Sequence, residues 1–134
     1  MPRGSGGYGR RRRGRRTRRG ARLIEPVLLL LLHEGLAHGY ALLDQLPEYG
    51  LGHVDPSAVY RALRDMEERE WVTSIWDKHK TQGPPRRVYQ LTDQGDEALA
   101  YWIKDLEQTR GHIDHVIESY GTHMQEHEAD EAQV

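Results

Sequence analysis

The stretch Asp55–Trp71, DPSAVYRALRDMEEREW, decides the fold. Asp55 carries a carboxylate that suits the cap position before a helix, and Pro56 suits the first helical position, where a missing N–H costs nothing. From there Val59, Leu63 and Met66 fall at i, i+4 and i+7 and form one apolar stripe. The same wheel turns Ser57, Tyr60, Arg61 and Arg64 to the opposite side. One face packs and the other is offered outward.

Reading outward from this helix, the punctuation is regular. Upstream, the apolar run Val27–Leu32, flanked by Leu23 and Ile24 and closed by His33 and Glu34, predicts a buried helix with Pro26 at its first position and Gly35 as its stop. The run is far short of the ~17–25 residues that a membrane span needs. The segment AHGYALLDQLPEYG predicts a second, short helix with Tyr40, Leu43 and Leu46 at helical spacing, ended by Pro47 and Gly50. Downstream, WVTSIW and RVYQL are two β-prone runs separated by the basic, turn-forming DKHKTQGPPR, which reads as a hairpin with a long tip. Thr92 then caps a last helix that runs without internal proline from Asp93 to beyond Tyr120.

The charges divide the chain in two. Its formal net charge is −2, yet ten of the nineteen bases are arginines in the first twenty-two residues, which hold no acid. The other nine bases face all twenty-one acids, so the remainder carries −12. A glycine-interrupted arginine run has nothing apolar to bury and repels itself, so residues 1–22 are expected to be a disordered basic arm. It lacks the apolar core of a signal peptide and the amphipathic repeat of a transit peptide. Three uses stay open for it: binding phosphate, tethering to an anionic membrane, or keeping the chain soluble. With no cysteine there is no disulfide and no thiolate metal site, a usage that fits an intracellular address.

Helix, helix, helix, hairpin is the order of a winged helix-turn-helix, and four segments resemble the PadR-type transcriptional regulators. They are HGY at His38–Tyr40, SAVYRALRDMEE at Ser57–Glu68, GPPRRVYQLT at Gly83–Thr92, and Gly95 three residues beyond. The resemblance spans Leu23 to Leu106. It implies a mainly α (α+β) fold, with a two-stranded wing and a long C-terminal dimerisation helix. The expected organisation is an arm over 1–22, a DNA-binding domain over 23–92, a dimerisation helix over 93–121 and an acidic polar tail over 122–134. One departure stands out. Where such proteins carry a glycine after the third helix this chain has Glu70, so the helix end is expected to lack its left-handed cap.

Seven of the nine bases outside the arm lie between the third helix and the second wing strand, whereas residues 93–134 hold eleven acids and two bases, Lys104 and Arg110. That asymmetry turns the helix-three and wing surface toward phosphate and the far end away from it. A helix fits the major groove of duplex DNA, where an arginine bonds guanine in a bidentate way. Arg61 and Arg64 are the candidate base readers and Ser57 and Tyr60 candidate phosphate contacts. Lys78, Lys80, Arg86 and Arg87 are candidate wing contacts to the adjacent backbone or minor groove. The competing reading for each is a solvated surface charge. The arm arginines, Arg10, Arg11, Arg12, Arg13, Arg15, Arg16, Arg18 and Arg19 among them, would neutralise phosphates without regard to sequence, adding affinity and not specificity.

In the last helix Leu99, Trp102, Leu106, Thr109, Ile113, Val116 and Tyr120 recur at alternating steps of three and four, a heptad seam. The resemblance implies a homodimer through this helix, a roughly palindromic operator, and repression as the default. The alternative is that the seam folds back on the first helix of its own chain. Related proteins hold flat aromatic effectors between such helices, which makes Trp102 and Tyr101 the candidate effector residues, set against a plain core role for Trp102. Trp71 and Trp76 read as packing residues of the hairpin. HMQEH at His123–His127 matches a metallohydrolase pattern, yet it sits seven residues from the chain end, with no room downstream for a third buried ligand; His112 and His115 share a face as well. The expectation is therefore a cytoplasmic, nucleoid-associated regulator without cofactor, structural metal or enzymatic activity. The rival within the same fold is a protein-interaction or RNA-tethering module.

Overall fold

The computed structural model describes residues 23–35, 38–77 and 86–132. Helix α1 occupies residues 23–33, α2 Gly39–Gln45 with a 3-10 turn over Leu46–Tyr49, and α3 Pro56–Glu68. Strands β1 (Val72–Asp77) and β2 (Arg86–Leu91) pair antiparallel, and α4 runs Asp93–Ala132. These residues fall into two compact units, one ending at Leu99 and the other, the remainder of α4, beginning at Ala100. The fold of the first is the expected winged helix. The arm and the wing tip, with Lys78 and Lys80, lie outside the described residues.

The core is aliphatic. Leu28 and Leu29 of α1, Leu42 of α2, Val59, Leu63 and Met66 of α3 and Val72 of β1 are all essentially inaccessible. Each contributes roughly 1.5–3 kcal/mol by leaving water, which is why three short helices and a two-stranded hairpin hold together. The α3 reading stands in detail: the Asp55 carboxylate accepts the Ser57 N–H at 3.1 Å and Pro56 is the first helical residue.

Four expectations change. Helix α1 is already helical at residue 23, three residues before Pro26, because Ile24 belongs to the same buried stripe and draws the helix back toward the arm. In α2 the buried positions are Gly39 and Leu42, continued by Leu46, while Tyr40 is half-exposed. A seven-residue helix fits either stripe, and the Arg86 guanidinium draws the Tyr40 ring outward. Helix α4 extends to Ala132, through the stretch read as a tail, since the polar residues there include no proline to stop it. Finally, α3 is capped after all. The Trp71 N–H bonds the Met66 carbonyl at 2.9 Å and the Glu70 N–H bonds the Glu67 carbonyl at 3.0 Å, the paired bonds of a Schellman motif. Glu70 itself takes the left-handed conformation, φ 65°, that glycine would adopt without strain.

That turn leads directly into the start of α4. The Thr92 hydroxyl donates to the Glu70 carbonyl at 2.6 Å and accepts the Gly95 N–H at 3.0 Å, so one side chain ties the end of α3 to the cap of α4. Gly95 is required here for space: a Cβ at this position would run into the Trp71 carbonyl.

Candidate nucleic-acid interface

Helix α3 presents its outer face as the stripe implies. Ser57, Tyr60, Arg61 and Arg64 are all exposed. Tyr60 is the most constrained of them, because its ring lies over Gly39 at the start of α2, where an added Cβ would stand 3.0 Å from the ring. The glycine of the HGY segment therefore lets the two helices approach and holds Tyr60 at their junction.

The described arginines before α4 divide into two kinds. Arg69 hydrogen-bonds both carboxylate oxygens of Glu25 at 3.4 Å and stacks over Trp71. Arg86 donates to the Tyr40 hydroxyl at 3.0 Å with its guanidinium 4.9 Å from the ring centre. Arg87 donates through Nε to the Ser74 hydroxyl at 2.9 Å, approaches Glu67 at 3.7 Å and stacks over Trp76. Arg61 and Arg64 are different: among the described residues neither has a hydrogen bond or an ion pair, so their forks are free for an external acceptor. The sequence reading set Arg86 and Arg87 apart as wing contacts to the backbone or minor groove, but it did not show that both already have partners within the chain. Trp76 is also not buried; it is 55% exposed and serves as the platform for Arg87.

The base of the wing is tied to α2 as well. His38 forms a single β-bridge with Val88, adding a third backbone segment beside the two-stranded sheet, and its Nε2 lies 3.9 Å from the Asp77 carboxylate. On the sheet face toward α3, Tyr89 is buried opposite Ser74. Burial pushes its hydroxyl above the ordinary value of 10.0, with Arg87 opposing the shift and Glu67 adding to it.

On α4 the seam residues differ in environment. Leu99 is 8% exposed and packs within its own chain, whereas Trp102 and Leu106 are half-buried. Ile113, Val116 and Tyr120 stand exposed, together with Ile117 beside them, and Tyr101 is exposed at 75%. A groove of about 550 Å³ lies by the hairpin, lined by Leu32, Ile75, Val88 and Leu91 with His33 and Asp96 paired at 3.0 Å; it includes neither Trp102 nor Tyr101. His123 and His127 are one helical turn apart, and His127 contacts Glu131 at 3.2 Å. Among the described residues no group of three or more histidines and acids is arranged to hold a metal ion.

A family model for the transcriptional regulator PadR-like family matches residues 27–101. The chain belongs to the PadR-like family. This is a family of transcriptional regulators, and solved structures agree. TM0937, a conserved protein described as a potential transcriptional factor, is 32% identical, with 77% of this chain and 91% of that one covered at a TM-score of 0.66. A PadR-like transcription factor from Bacteroides fragilis shares 24% identity over 77% of this chain and 98% of its own, TM-score 0.63. A PadR family regulator from Clostridium difficile shares 20% over 70% and 97%, TM-score 0.62. No curated protein matches the chain's sequence. None of this PadR-like chain's described helices is long and apolar enough to cross a membrane.

Proposed function

We propose that this PadR-like protein is a homodimeric, sequence-specific DNA-binding repressor that acts in the cytoplasm, on the nucleoid. The observation that carries the reading is the pair Arg61 and Arg64, exposed and uncommitted on the outer face of a helix whose other face is locked in the core. Such a helix enters a major groove as a rigid body, and two arginines one turn apart meet successive base edges. Ser57 and Tyr60 fit phosphate contacts at the groove margin, with Lys78 and Lys80 of the wing and the arm arginines on the adjoining backbone. The exposed apolar residues Ile113, Val116 and Tyr120, continuing the line of Trp102 and Leu106, support dimerisation through α4. Two-fold symmetry then favours a roughly palindromic operator. A planar aromatic effector stacked on Trp102, with Tyr101 beside it, completes the reading: bound at a two-fold seam, it opposes DNA by favouring another spacing of the recognition helices.

Arg61→Ala and Arg64→Ala test this directly. Each is expected to cost about 1–3 kcal/mol on the preferred operator and to relax base choice at one position. Equal loss on every DNA assigns that arginine to phosphate, and full retention on all DNA overturns the recognition role of α3.

A further inference from the structure

Glu67 is an acid on the helix that the proposed function turns toward phosphate, which makes its position a cost to be explained. Its carboxylate does not point into water alone. The Ser74 hydroxyl donates to Glu67 Oε2 at 2.8 Å, the Arg87 Nε donates to that same hydroxyl at 2.9 Å, and the Arg87 Nη2 lies 3.7 Å from the carboxylate oxygen. The relay runs from β2 through β1 to α3, so it joins both wing strands to the recognition helix. Trp76, directly across the sheet from Arg87, covers the guanidinium from one side at 5.1 Å. Arg87 is thereby oriented by three partners before any nucleic acid arrives.

We infer that Glu67 is a positioning residue for DNA binding, and that Arg87 is its clamp partner and not a phosphate contact. The inference rests on the DNA-binding reading above and adds to it what sets the wing. Polar groups linked in series polarise one another, and a planar guanidinium held by Nε and Nη2 while stacked on an indole has little rotational freedom left. The Tyr40–Arg86 contact fixes the same strand to α2 from one residue away. Held at both points, β2 is fixed to α2 and α3 before any nucleic acid arrives.

Opposite signs separate the two roles. Simple electrostatics holds that removing an acid beside DNA tightens binding, whereas loss of a clamp weakens it. The probe is the duplex enriched from a random pool by the wild-type full-length protein. Glu67→Gln is expected to weaken its binding about 3–10-fold, at the lower end of the coupling within one hydrogen-bonded network. The slope of log K against log salt should stay unchanged, because a lost phosphate contact would flatten it by about 0.9. Arg87→Ala should match in size and slope, and the double variant should be no worse than either single one. The swapped pair E67R/R87E should recover part of what R87E alone loses, since Ser74 can reverse its donor and acceptor roles between them. The pair is partly exposed, so melting temperature should move by no more than about 3 °C. Glu67→Gln binding as tightly as wild type or tighter, or Arg87→Ala flattening the slope by about 0.9, overturns the inference. Hydrogen exchange of the β2 amides reads the clamp without DNA. It should quicken in Glu67→Gln, and equal protection overturns the clamp even where wild type binds no DNA, a result that would by itself defeat only the functional reading.

Discussion

Replacing Glu70 by glycine should stabilise the protein, which is unusual for a substitution that adds no contact. Glu70 holds φ 65° at the end of α3, and its backbone N–H already bonds the Glu67 carbonyl. The cost of that conformation for a residue with a Cβ is about 1–2 kcal/mol, whereas glycine adopts it freely. Glycine also makes the unfolded chain more flexible, which takes back about 0.4–1 kcal/mol. Taking the middle of each range, the net gain is about 0.8 kcal/mol, or roughly 3–6 °C in melting temperature for a domain of this size. The assay is thermal and urea unfolding followed by circular dichroism, at one fixed protein concentration because the proposed dimer would melt in a concentration-dependent way. Glu70→Ala is the control: it keeps the Cβ and should stay within about 0.5 kcal/mol of wild type. A Glu70→Gly protein that melts no higher than the alanine variant would refute the reasoning, and with it the claim that the Schellman bonds hold Glu70 in a strained state.

Three further outcomes follow from the same structure. Because the folded pKa of Tyr89 lies above its unfolded value of 10.0, the stability it preserves is complete below pH 10 and is lost as pH rises through the folded pKa; Tyr89→Phe should remove that alkaline decline in unfolding titrations. Leu106→Lys should put an unpaired charge into the α4 seam at a cost of several kcal/mol and convert dimer to monomer in sedimentation, while a variant that stays dimeric puts the interface elsewhere. Deleting residues 2–20 should weaken operator and random DNA by similar factors and flatten the salt dependence by about 0.9 per lost phosphate contact, and an unchanged slope would leave the arm without a role on DNA.

The sequence was most legible where one local signal agreed with another. Asp55, Pro56 and the stripe Val59–Leu63–Met66 all specify the same helix, and Thr92 with Gly95 specifies the start of the last one. Legibility failed where the deciding partner was remote. Tyr40 looked like a core position until Arg86, 46 residues away, was found holding it at the surface. Arg87 looked like any wing base because its partners, Glu67 and Ser74, lie 20 and 13 residues earlier and meet it only after the hairpin closes. Leu99 fitted the heptad as well as Ile113 did, since spacing records a face and not which neighbour covers it. Glu70 misled in the opposite sense: the expected glycine was absent, yet the backbone bonds around it were enough to impose the turn.

The most direct measurement is selection of duplex DNA from a random pool at physiological salt, with wild-type protein and with the Arg61→Ala/Arg64→Ala double variant side by side. The account predicts that wild type enriches a two-fold symmetric sequence with half-sites about 10–10.5 base pairs apart, or a multiple of that, and that the double variant loses the enrichment while retaining weak, salt-sensitive binding. A wild-type pool no different from the starting one, or the same sequence enriched equally by the double variant, would contradict the assignment of α3 as the element that reads DNA.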